Sequence, residues 1–267
     1  MVRLMSRVLL SATASLLCSA LRAQSPDELI RQVAAAERAG NQADHANWIY
    51  FEDLRRSKEH VVQWVAATQA GQVCRVLRKN EQRLPEPAQR DLIQQFLGDT
   101  KAQKKQIAEN NQDQQQIDAF LKLLPEAFRW TETGSTSVDT SLHFEPDPGF
   151  HPPTREARVF SGMAGDLVFD NKHHRILKMS GHLIHDVTFG GGLLGRLKTG
   201  SSFSLEQAEV GESLWEMTAI HVHLDGNALL FKSVSLEEDD KRSRYQMEPP
   251  TLTPDGAAKV VMTEPDI

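Results

Sequence analysis

The chain has 267 residues, 40% of them hydrophobic and 25% charged, which is ordinary globular usage and enough to bury a core without disulfide or metal staples. It carries 30 Lys and Arg against 36 Asp and Glu, a formal net charge of −6. That balance excludes the clustered cationic surface a phosphate backbone demands, so no nucleic-acid partner is expected.

The first 23 residues read as a targeting segment. Arg3 and Arg7 precede an apolar run from Val8 to Leu21, and Ala23 stands at a small-residue cleavage position. The run is shorter than the ~20 residues of a membrane-spanning helix. Residues 1–23 are therefore expected to be a signal peptide, cleaved near Ala23. Cleavage removes Cys18 and leaves Cys74 alone, so no intramolecular disulfide is expected and a buried, inert thiol is.

The mature chain opens with a helix. Ser25 is an N-cap, Pro26 suits the first turn, and Asp27 and Glu28 favour the positive helix end. Leu29, Ile30, Val33 and Ala36 follow at helical spacing. Three strands are expected next, over Trp48–Leu54, His60–Ala67 and Gln72–Leu77. Composition then shifts to Gln, Lys and Asp, and about 86–127 reads as a helical insert. Its apolar faces are Leu92, Ile93, Phe96 and Leu97, then Ile117, Phe120, Leu121 and Leu124, and it ends at Pro125 or just after. The Gln-rich middle, Gln103 to Gln116, reads as a solvated helix surface.

Strands return over Phe128–Thr133 and Val138–Glu145. A hairpin of Val159–Phe169 with Arg175–Phe189 is expected after them. Phe203–Val210, Leu214–Leu224 and Leu229–Leu236 follow, with turns at Gly211 and at Asp225-Gly226-Asn227. Residues 246–267, with Pro249, Pro250, Pro254 and Pro265, are expected to form an irregular tail. Helix, strands, helices and many strands in that order indicate α+β: one curved antiparallel sheet, an incomplete barrel, with helices packed on its open side.

Candidate chemistry is sparse. Gly190-Gly191-Gly192-Leu193-Leu194-Gly195 has the spacing G-x-G-x-x-G, but no helix follows to hold a pyrophosphate, so it reads as a turn with an apolar tip at Leu193 and Leu194. His221 and His223, two apart on a strand, point the same way and could share a metal. The run His221-Val222-His223-Leu224-Asp225 resembles the H-x-H opening of amidohydrolases and of metallo-β-lactamase-like hydrolases, but Gly226 stands where the latter need a further histidine. No G-x-S-x-G, H-E-x-x-H or C-x-x-C is present, and no cofactor is expected.

Three stretches carry a family likeness: Tyr50-Phe51-Glu52-Asp53-Leu54, Met163-Ala164-Gly165-Asp166-Leu167-Val168-Phe169-Asp170, and Ile176-Leu177-Lys178-Met179-Ser180-Gly181. Together with the leading helix they resemble the LolA-like group of periplasmic lipoprotein carriers and outer-membrane lipoprotein-sorting proteins. The resemblance implies a single domain over 24–245, a periplasmic location and an apolar cavity for acyl chains between sheet and helices. Its expected lining is Trp64, Phe169, Phe189, Trp215 and Met217, with Leu193 and Leu194 at the mouth. It implies a non-enzymatic carrier of a lipid or lipidated protein, with transient membrane contact. Two alternatives stand beside it: a metal-dependent hydrolase using His221 and His223, and a structural envelope protein without ligand.

Overall fold

The computed structural model describes residues 24–189, 195–211, 213–228 and 232–266. The expected signal peptide, residues 1–23, and the tip residues Leu193 and Leu194 lie outside the described residues.

Helix α1 spans Pro26–Ala43 and starts in a full capping box: the Ser25 hydroxyl accepts from the Glu28 amide at 3.2 Å, and the Glu28 carboxylate accepts from the Ser25 amide at 3.0 Å. A meander follows, β1 Asn47–Arg56, β2 Glu59–Thr68, β3 Gly71–Lys79 and the short β4 Gln82–Arg83. The insert is two helices, α2 Glu86–Gly98 and α3 Thr100–Ala127. A second meander comprises β5 Phe128–Ser135, β6 Asp139–Pro146, β7 Met163–Asp170, β8 Ile176–Leu183, β9 Val187–Phe189, β10 Gly195–Leu197, β11 Ser202–Gly211 and β12 Leu214–Ala228. The long β13 Lys232–Glu248 and helix α4 Pro254–Thr263 complete the chain.

Among the described residues all thirteen strands belong to one antiparallel sheet that does not close into a barrel. Its order is β4-β3-β2-β1-β13-β12-β11-β8-β7-β6-β5, with β10 pairing β12 and β9. β13 is the seam: it inserts between β12 and β1 and joins the two meanders. Extra residues at Ile49/Phe51, Val62/Gln63, Val168/Phe169 and Glu206/Gln207 bulge the ladders and bend the strands.

Register assigns the faces. Leu142, Leu167, Met179, Leu205, Ile220, Asp240, Leu54 and Val61 are successive cross-strand partners, so they share one face from β6 to β2. On that face α1, α3 and a 3₁₀ helix at Glu156–Gly162 pack over the β5–β8 end, where Ile30, Val33, Leu121, Leu124, Phe144, Leu167 and Phe169 form the largest core. On the opposite face α2 and α4 cover β1–β3 with a second core of Ile49, Trp64, Ala66, Val73, Ile93, Ala257 and Val261. In the first core Gly165 and Gly181 are direct partners, and a side chain at Gly165 would run into the backbone of β8 and the Phe144 ring.

Four expectations differ. Val159 and Phe160 lie in the 3₁₀ helix and not in a strand, because Phe160 is drawn into the aromatic cluster of Phe120, Phe128 and Phe150. The strand expected over Arg175–Phe189 is broken between β8 and β9: the Ile184 amide leaves the ladder for the Gly162 carbonyl at 2.8 Å, and Asp186 accepts from the Thr199 amide at 2.8 Å. Asp225-Gly226-Asn227 is no turn but continues β12, and Gly226 allows β10 to approach closely at Arg196. The expected irregular tail instead holds α4, capped by Thr253, with Pro254 in its first turn. Buried Arg75 donates to the carbonyls of Val261 at 3.3 Å, Met262 at 3.4 Å and Glu264 at 2.6 Å, so a strand side chain caps the end of α4.

Candidate functional site

The middle of the sheet is less covered than its two ends. Leu205, Ile220, Val222, Leu54 and Val61 are apolar and share the face of the largest core, yet each is only half-buried. Helix α3 is tied at both ends. At one, the Gln106 side chain accepts from the Gln72 amide of β3 at 2.7 Å; at the other, Leu121 and Leu124 are buried in the β5–β8 core. Between them residues 108–117 are exposed all round the helix, so this length of α3 packs on nothing. Helix α1 reaches the central strands through Glu37, which accepts from the Ile176 amide and the Gln207 side chain, both at 2.6 Å, and pairs with Arg175 at 3.0 Å.

At the seam this apolar face turns polar. Glu52 and Arg242 are direct partners across β1 and β13, and Asp240 faces Leu54 one step further on. Arg242 donates to Asp240 Oδ2 at 2.7 and 3.0 Å, approaches Glu52 at 3.4 Å, and sets its guanidinium 5.1 Å from the Tyr50 ring. Gln63 donates to Glu52 at 2.6 Å. Asp240 is 3% exposed and Glu52 5%, and Asp240 Oδ1 is buried with no hydrogen-bond partner among the described residues. Burial first, and then the Asp240 charge, raises the Glu52 carboxyl; burial raises Asp240 against the pull of Arg242. Burial works against the Arg242 charge, but Tyr50, Asp240 and Glu52 carry its pKa above the ordinary value.

Glu216, on β12, is pushed up to about 7 by burial and then by its hydrogen bond with Asp44; Arg242 and Arg175 pull the other way. Burial pushes the Cys74 thiol up to about 12, which makes it a poor nucleophile.

The residues expected to line a cavity do not all come together. Trp64 is fully buried on the opposite face, under α4, with its indole donating to the Pro265 carbonyl at 2.9 Å. Phe169 is fully buried in the β5–β8 core, and Phe189 packs against the margin of that core. Trp215 and Met217 lie on β12 and are half-buried; the Trp215 ring meets His173 and the Arg175 guanidinium, each at 5.9 Å. Sequence reasoning missed Glu52, Asp240 and Arg242. The available signal was Glu52, a charge in phase with Trp48 and Tyr50 on an otherwise apolar strand face.

The other sheet face carries a transverse polar row. His143, Asp166, Ser180, Ser204, His221, Asp239, Arg55 and His60 are successive direct partners from β6 to β2. His221 contacts Asp239 at 2.8 Å and His223 contacts Glu237 at 2.6 Å, so each histidine of the alternative metal reading is engaged by its own carboxylate. Among the described residues no group of three or more His, Cys, Asp or Glu is arranged to hold a metal. Two adjoining surface depressions, about 460 and 390 Å³, share Ser161 and His185 beside the β8–β9 break. Among the described residues no helix is long and apolar enough to cross a membrane.

No protein-family model, curated protein or solved structure matches this chain.

Proposed function

We propose that this is an exported, non-enzymatic binding or carrier protein that holds an amphiphile, a lipid or a lipidated partner against the central sheet face. The observation that carries the reading is the half-buried row Leu205, Ile220, Leu54 and Val61, broken only by Asp240 between Ile220 and Leu54, together with residues 108–117 of α3, which pack on nothing. Apolar surface beside polar groups that no element of the fold covers fully is a place for a partner. An acyl chain laid along it gains about 0.8 kcal/mol for each CH₂ removed from water, so one chain supplies most of the affinity. The Arg242 cluster at the seam provides the polar end that fixes orientation. The leader-like Arg3, Arg7 and Val8–Leu21 run and the resemblance to LolA-like carriers support export and delivery to a membrane surface.

Native mass spectrometry of protein extracted from its source without detergent, followed by organic extraction, tests the reading. A co-purifying amphiphile, depleted in an Ile220→Lys variant, supports it. A bare polypeptide mass, together with no uptake of added alkyl amphiphiles, contradicts it.

A further inference from the structure

We infer that the amphiphile held on this face carries an amine or ammonium head group, seated against Asp240 and Glu52, in preference to a carboxylate or phosphate. This rests on the carrier reading and adds the head-group chemistry. Two buried carboxylates, Glu52 and Asp240, share the single guanidinium of Arg242. The neighbouring cations are already committed: Arg56 to Glu238 at 2.8 Å and Arg175 to Glu37 at 3.0 Å. Arg175 Nε lacks a partner, but its charge is balanced by Glu37 and it lies against Trp215. An anionic head would thus be desolvated among like charges.

Asp240 supplies the second, independent observation. Its Oδ2 is taken by Arg242 while its buried Oδ1 accepts nothing among the described residues. A buried acceptor left unmade costs free energy that a donor would recover. An ammonium brings three donors and the complementary charge. The flanking row partners of Asp240 are Ile220 and Leu54, both half-buried, so the same place offers an apolar bed for the chain.

The test is calorimetric titration of the full mature chain with dodecylammonium and with dodecanoate, below micelle formation and at high salt, where attraction to surface charge is screened. The ammonium probe should bind about tenfold or more tightly than the carboxylate, the order expected from one charge-assisted hydrogen bond. Asp240→Asn should bring the ratio close to one, and Glu52→Gln should reduce it as well if the first variant does not fold. Equal or reversed affinities in the wild type, or a ratio that survives both substitutions, overturn the head-group assignment and leave the carrier reading standing. If neither probe binds, the carrier reading fails and this inference with it.

Discussion

Glu52 and Arg242 face each other across β1 and β13, with Arg242 Nε 3.4 Å from the Glu52 carboxylate. The pair sits where the last strand of the chain joins the first, so it belongs to the seam between two meanders that are otherwise separate in sequence. Asp240 and Tyr50 complete the contacts of the guanidinium. The cluster adds buried charge to a seam that the β1–β13 ladder and the packed rings of Trp48, Tyr50 and Tyr245 also hold.

Removing the cation should therefore be costly. Arg242→Met leaves Glu52 and Asp240 buried without their partner, and unfolding by denaturant should show a loss of about 3–5 kcal/mol. Replacing Glu52, Asp240 and Arg242 together with Leu, Leu and Met should restore most of that loss, since no buried charge is then left alone. A single variant of wild-type stability would show that the seam does not depend on this cluster.

Glu216 predicts the direction of pH dependence. Its folded pKa, about 7, lies above the ordinary carboxyl value of 4.5, so the folded state holds the proton more tightly. The stabilisation it contributes is fully present below 4.5 and is lost as pH rises through about 7. The melting temperature should fall across that interval, by on the order of 2–4 °C for each kcal/mol lost after solvent screening. Glu216→Gln should flatten the profile between mildly acidic and mildly alkaline pH.

Gly165→Ala tests the close strand approach in the β5–β8 core. The added methyl would meet the β8 backbone at Ser180 and Gly181, and the Phe144 ring. Backbone cannot yield as a flexible side-chain end can, and the variant should lose about 1–3 kcal/mol by thermal or denaturant unfolding.

Glu37 is the tie from α1 to the central strands. Glu37→Ala strands the buried Arg175 and frees the Ile176 amide. Stability should drop by about 3 kcal/mol or more. Hydrogen exchange should accelerate at Ile176 beyond the global change; an unchanged exchange rate there would show that the amide is protected by something else.

The parts of this fold that were legible in the sequence are those with a strong local signal. Trp48 to Leu54 is aromatic and β-branched, His60 to Ala67 puts Val62, Trp64 and Ala66 on the face that meets the α4 core, and Ser25 with Glu28 marks a helix start by local chemistry alone. β13 was not legible beyond Leu236, because the stretch from Glu237 to Arg244 is charged on both faces and leaves no period to read. Its strand character comes from pairing on both sides, with β12 and with β1. The face proposed to bind was only half legible, because register decides which apolar residues share it. Phe169 and Trp64 are both strongly apolar, but register, which no local pattern reveals, puts Trp64 on the α4 side.

The most direct test is to locate a bound chain. A dodecylammonium analogue bearing a photoreactive diazirine near its tail is bound to the mature protein, irradiated, and the adducts mapped by peptide mass spectrometry. Adducts concentrated on Leu205, Ile220 and Val222 are the predicted result. Adducts on the α2 and α4 side around Leu252 and Met262, at the Ser161 and His185 depressions, or spread without preference would contradict the central claim that the half-exposed face of β11, β12 and β1 is the binding site.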